Sequence, residues 1–235
     1  RIVFLSGGIA HAAYGGIGMA IFFEIPLIFG TALFSTAAAV VMAAVTLKAR
    51  HRSDTIIGVI WATGMAIGII LIDLTPGYNV DLMSYLFGSI LAVPRADLWM
   101  MLGLTFVILV FVTFFYKDIL ALSYDEEFAR LRNVPVNRLY FFQIVLLALS
   151  IVLIIRVVGL ILVIALLTIP PFITERFAKS VFTMMAGSTL LGTVFSVSGL
   201  FLAFRFDLTS GASIILVAGA FFFLFLLADR IFGRR

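Results

Sequence analysis

With 235 residues, 63% of them hydrophobic and 12% charged, and a mean hydropathy of +1.24, the chain carries about half the charge of an average soluble domain. A water-soluble fold is excluded, and the absence of cysteine excludes disulfides, thiolate metal sites, iron–sulfur clusters and thiol catalysis. A formal charge of +4 in such a chain reports membrane orientation before it reports an anionic partner, and no nucleic-acid partner is expected.

Between successive charges lie eight apolar stretches: 2–23, 25–47, 55–72, 98–116, 139–155, 157–174, 180–204 and 208–228. Each is near the roughly 20 residues of helix that cross a bilayer core. The runs are continuous rather than alternating in polarity, which selects helices over a transmembrane β-barrel. The expected fold is all-α: one polytopic transmembrane domain over 1–235, with about eight spanning helices. No signal peptide is legible, and the chain enters an apolar run directly from Arg1, so an upstream segment is expected.

Placing the start of the chain in the cytoplasm puts Arg1, Lys48, Arg50, Arg52, Lys117, Arg130, Arg132, Arg138, Arg176, Lys179, Arg230, Arg234 and Arg235 inside. That leaves only Arg95, Arg156 and Arg205 of the 16 basic residues outside. The positive-inside bias therefore predicts that both ends are cytoplasmic, in a plasma (inner) membrane.

The first span contains LSGGIAHAAYGGIGMA, where His11 is the only ionisable side chain between Arg1 and Glu24. Ionisable groups at that depth usually face the interior of a helix bundle. Gly8, His11, Gly15 and Gly18 follow at three, four and three residues and so share one stripe, whose small members admit close packing of another helix. An imidazole there serves as a metal ligand, a proton carrier or a hydrogen-bonded packing residue, and the residues leave the three open. The other histidine, His51, belongs to the basic cytoplasmic loop, so a multi-histidine metal site is not indicated.

Glu24–Pro26 and Arg156 read as tight outer turns. The longer outer loop from Asp73 to Asp97 contains LTPGY and then DLMSYLFGSIL, which predicts a turn followed by a short helix over 82–92 capped by Asp81. That helix is either a structured loop element or a plug of the outer mouth.

The one long polar segment on the inside is the 118–138 loop. Ser123 with Glu126 reads as a capping box, Asp125 and Glu127 reinforce the positive end of the helix dipole, and Arg130 and Arg132 the negative end. Asn133 suits a left-handed C-cap and Pro135 blocks continuation, predicting a helix over about 124–132. Tyr124, Phe128 and Leu131 then share one face, suited either to a partner protein or to packing within the subunit.

Farther on, Pro170 and Pro171 are expected to disrupt the span 157–174 near its cytoplasmic end, as a gating kink or a static bend. The methionine pairs Met100–Met101 and Met184–Met185 read as packing rather than soft-metal ligands. Among the outer carboxylates Glu24, Asp73, Asp81, Asp97 and Asp207, the last, followed by Leu-Thr-Ser-Gly, is the best candidate for the transport pathway. No GxxxxGK[ST] loop, HExxH or GxSxG pattern occurs, so the chain has no ATPase or hydrolase signature of its own.

Four stretches in order resemble the permease subunits of bacterial and archaeal ATP-binding-cassette importers for zinc, manganese and iron: RIVFLSGGIAHAAYGGIGMA, DLMSYLFGSILAV, VVGLILVIALLTIPPFITERFA and GLFLAFRFDLTSGASIILVAGAFFFL. The resemblance implies a permease homodimer with the path along its interface. It further implies two cytoplasmic ATPase subunits, an extracytoplasmic metal-binding protein and a transported divalent metal rather than a resident cofactor. It makes the 118–138 loop the coupling element, with Tyr124, Asp125, Glu126, Glu127, Phe128, Ala129 and Leu131 facing the ATPase. The family commonly has glycine at the position of Asn133, often an aspartate where this chain has Gly7, and usually one further helix before the first span. Retaining His11 without that carboxylate favours zinc, then manganese or iron, by ligand softness. The alternatives are a gradient-driven carrier or channel, weakened by the lack of an internal repeat, and a permease for iron chelates or cobalamin.

Overall fold

In the computed structural model, residues 2–48, 53–76, 88 and 93–232 are described. They form nine helices: α1 (Ile2–Phe22), α2 (Leu27–Lys48), α3 (Ser53–Asp73), α4 (Arg95–Tyr124), α5 (Glu126–Leu131), α6 (Val136–Val158), α7 (Leu160–Glu175), α8 (Val181–Phe206) and α9 (Ser210–Phe232). There are no strands among the described residues, and the all-helical membrane fold expected from composition is the one found.

Among the described residues, seven of these helices are long and apolar enough to cross a membrane. The eighth expected span is the shorter α7, 16 residues or about 24 Å. Its start is displaced because Arg156 is not a turn residue. α6 runs on to Val158 and the chain turns at Gly159, whose φ of 84° only glycine adopts freely. The predicted 82–92 helix and its Asp81 cap lie outside the described residues, apart from Gly88. That glycine has φ 67° and lies so close to the Val158–Gly159 peptide that a side chain has no room.

The chain divides into two compact units, residues 1–80 with 93–154, and 81–92 with 155–235. In the first, α1 is held between α2 and α3, and Ile9, Ala10 and Ala12 have no exposed surface. A helix that is apolar all round can be enclosed by neighbours, and its alanines and glycines let them approach. α1 ends where Glu24 takes a left-handed conformation, with the Ile25 amide donating to Ala20 and the Glu24 amide to Ile21. α4 and α6 meet at a cluster of Phe111, Leu139 and Leu146.

In the second unit α7, α8 and α9 pack on Ile173, Phe195 and Ala218. Gly199 of α8 admits α9 closely: a Cβ there would stand 2.5 Å from the Ile214 Cα. Thr174 of α7 and Ser188 of α8 join by hydroxyl hydrogen bond at 2.7 Å, and Arg176 donates to Asp229 of α9 at 3.1 Å. Ser180 and Thr183 cap α8 reciprocally.

Pro170 and Pro171 lie inside α7, which is assigned as one helix across them. The helix continues to Glu175, and the Thr174 hydroxyl donates to the Pro170 carbonyl at 2.9 Å. The two missing amide donors free carbonyls one turn earlier, a defect that neighbouring helices and hydroxyls accommodate in membranes.

Candidate transport site and coupling helix

Gly8, His11, Gly15 and Gly18 all face neighbouring helices from α1, and each glycine marks a point where a side chain has no space. A Cβ on Gly8 would stand 2.6 Å from Ile57 of α3, and one on Gly15 2.7 Å from the Gly64 carbonyl. At Gly18 it would overlap the backbone of Gly68. Glycine faces glycine across this seam, which brings the α1 and α3 backbones together. Gly7, by contrast, has nothing within 4 Å of the position a Cβ would take.

His11 sits half-buried in the same seam. Its Nδ1 lies 2.9 Å from the Gly7 carbonyl oxygen. A carbonyl only accepts, so Nδ1 carries the proton and Nε2 of the neutral ring keeps its lone pair. Trp61 of α3 covers the imidazole, with ring centroids 3.9 Å apart and planes inclined by 32°. The Trp61 indole N–H is itself engaged, donating to the Met65 sulfur one turn on at 3.3 Å. An oriented imidazole with one free nitrogen can hold a cation weakly. Among the described residues no three His, Asp or Glu side chains gather into a metal-binding group.

Asp207 belongs to the second unit. It is exposed and takes a left-handed conformation, φ 53°, that ends α8, where the amides of Asp207 and Leu208 both donate to Ala203. In that conformation it caps the C-terminal end of the helix. Trp61 was not singled out by sequence. Its pairing with His11 spans fifty residues and leaves no periodic signal.

The polar loop forms α5, but with different ends from those expected. Ser123 does not cap it: that residue lies within α4, and its hydroxyl donates back to Ile119 at 2.8 Å. The cap is Asp125, extended at φ −151°, whose carboxylate accepts from the amides of Glu127 (2.9 Å) and Phe128 (3.1 Å). Tyr124 is the last residue of α4 rather than the first of α5. At the other end Asn133 is left-handed, φ 59°, with Val134 donating to Ala129 and Asn133 to Arg130, the two bonds of a Schellman stop. Arg130 pairs with Glu126 at 2.8 Å and also donates to Asn137 at 3.0 Å, fastening α5 to the start of α6. Ala129 is buried, whereas Tyr124 (79%), Phe128 (50%) and Leu131 (83%) project outward.

The chain thus presents a short doubly capped helix with exposed apolar side chains and, separately, a glycine seam holding one imidazole. Residues 1–229 match the ABC 3 transport family. The chain belongs to that family. The ABC 3 chain is 51% identical over 218 residues to an uncharacterized membrane protein of Synechocystis, covering 93% of this chain and 78% of that one. It is 33% identical over 227 residues, 96% and 81% of the two chains, to the manganese transport system membrane protein MntC of Listeria monocytogenes. In structure it is similar to PsaBC from Streptococcus pneumoniae, solved with a Fab, with a TM-score of 0.82 at 32% identity, covering 95% of this chain and 80% of that one. This ABC 3 protein is thus a multi-pass membrane transport component.

Proposed function

We propose that this chain is the membrane subunit of an ATP-binding-cassette importer that moves a divalent transition metal into the cytoplasm, zinc ahead of manganese or iron. Two copies form the path, two cytoplasmic ATPases drive it, and an extracytoplasmic binding protein delivers the ion. The observation that carries the reading is α5: six residues, capped at both ends and tied to α6, with Phe128 and Leu131 exposed on it and Tyr124 exposed at the end of α4 just before its cap. A short rigid helix of that kind transmits ATPase closure to the spans as a rigid-body displacement. Family membership and the likeness to PsaBC support the same assignment.

His11 is the proposed contact with the ion. Its Nε2 is presented by two fixed partners, the Gly7 carbonyl and the Trp61 ring. Imidazole without a neighbouring carboxylate suits zinc better than manganese, whose preferred ligands are oxygens. The relative named for manganese supports the competing metal, and uptake distinguishes them.

The test is uptake of radiolabelled zinc and of manganese in cells expressing the complete permease with its ATPase and binding protein, wild type against His11→Ala at matched membrane levels. Expected is ATP-dependent zinc uptake that falls roughly 10-fold or more in the variant. Uptake that survives ATP depletion would overturn the importer reading, and unchanged uptake in the variant would return His11 to packing.

A further inference from the structure

Between α4 and α6 the surface is indented. The Phe111 ring bridges the two helices, 4.9 Å from that of Phe142, and on the outer side of this bridge lies an open groove of about 580 Å³. Its walls are Phe106, Val110 and Phe114 from α4 and Leu139 and Phe142 from α6, with Arg138 as its one charged lining residue. Phe106, Val110 and Phe114 recur every fourth residue and so form a row about 12 Å long. Phe106 and Phe114 are 69% and 81% exposed, so no described residue closes the groove.

The charge lies at one end. Arg138 stands in the first turn of α6, beside Phe114 and Phe115, at the end of the groove nearest α5. One turn beyond Phe114 on α4, Lys117 follows at three residues and Asp118 at four, so α4 brings one charge of each sign to this end and Arg138 makes the balance positive. Neither cation has a hydrogen bond or ion pair with any described residue, although the nearby Arg130 is paired with Glu126.

We propose that this groove is a binding site for an anionic phospholipid, one acyl chain lying along Phe106, Val110 and Phe114 and the phosphate held by Arg138 and Lys117. The helices are membrane spans, so the apolar row stands in hydrocarbon and the cations at its margin, which matches the division of a phospholipid into chain and headgroup. Guanidinium matches phosphate oxygens two at a time, and lysine adds a point charge. A second copy seated here is disfavoured: a two-fold interface centred on the groove would bring the two net-positive ends, each with Arg138 and Lys117 against one Asp118, together.

The experiment uses the complete permease with its ATPase, reconstituted in mixtures of phosphatidylglycerol and phosphatidylcholine. Retained lipid is measured by native mass spectrometry. Expected is selective retention of phosphatidylglycerol, reduced about 10-fold in Lys117→Gln/Arg138→Gln and kept by Arg138→Lys, with melting in lipid-free detergent the same for all. These 235 residues contain no cysteine, so labelling at Phe114→Cys is read against the same complex without that substitution. A fluorophore there is quenched by brominated phosphatidylglycerol more than by brominated phosphatidylcholine. Equal retention of the two lipids, or equal quenching, overturns the proposal, as does efficient disulfide formation between two Phe114→Cys chains in the membrane, which would assign the groove to a second copy.

Discussion

The imidazole of His11 lies against the indole of Trp61, centroids 3.9 Å apart, so that the ionisable residue of the first span is held by a ring from the third. An aromatic contact of this kind contributes about 0.5–1.5 kcal/mol beyond area burial. If His11 contacts the ion as proposed, Trp61→Ala raises the KM for zinc uptake roughly 3- to 10-fold. Trp61→Phe, which keeps a ring, stays close to wild type. A KM unchanged in Trp61→Ala would show that the ring does not position the imidazole.

Gly7 lies one turn before His11, with nothing within 4 Å of the position its Cβ would take. The Cβ of Gly7→Asp therefore meets no neighbour, and the variant places a carboxylate at i, i+4 from the imidazole. The mixed oxygen–nitrogen pair shifts preference toward manganese. In competition uptake, the ratio of manganese to zinc transported rises in this variant; an unaltered ratio would remove this position from metal choice.

Two glycines of α1 make opposite predictions for stability. Gly18→Ala drives a methyl into the Gly68 backbone, and overpacking of this kind costs about 1–3 kcal/mol. Gly7→Ala meets nothing and gains helix propensity, up to about 1 kcal/mol. Thermal unfolding of the purified protein in detergent should show the first melting lower than wild type and the second at or above it.

α5 can be loosened without touching its exposed face. Asp125→Ala removes the acceptor of two amides and costs about 1 kcal/mol of local helix stability. Asn133→Gly relieves a left-handed non-glycine residue and is neutral or favourable. On the proposed function, Leu131→Glu abolishes co-purification of the ATPase, Asp125→Ala weakens it and Asn133→Gly preserves it. Co-purification insensitive to Leu131→Glu would place the docking surface elsewhere.

Ser35 is fully buried with no hydrogen-bond partner for its hydroxyl among the described residues. Ser35→Ala is therefore neutral or stabilising by up to about 1 kcal/mol. Thr174→Val, which breaks the 2.7 Å bond to Ser188, lowers the melting temperature. Denaturation of the two variants side by side checks the contrast.

Much of α5 was legible because caps, turns and amphipathic faces are encoded within a few residues. Asn133 as a left-handed stop and the exposed trio Tyr124, Phe128 and Leu131 came from spacing. The Ser123 cap did not, because propagation of α4 through Ala121 and Leu122 claimed that residue before it could act. The turn at Arg156 failed for a similar reason: a charge count marks the end of an apolar run, whereas the chain turns at Gly159 because glycine tolerates φ 84°. Neither Trp61 against His11 nor Arg176 against Asp229 was readable, since each pair is tens of residues apart and follows no period.

Composition alone determined that this is a helical membrane protein, because apolar runs of span length have no other stable fate in water or lipid. Local spacing determined that His11 shares a stripe with glycines. Only tertiary structure decided that α1 meets α3 glycine to glycine, that Trp61 covers the imidazole and that Arg138 heads an open groove. In a chain whose spans are all apolar, hydrophobicity cannot rank one helix pairing above another. Backbone approach and side-chain shape make that choice, and they exist only once the helices have packed.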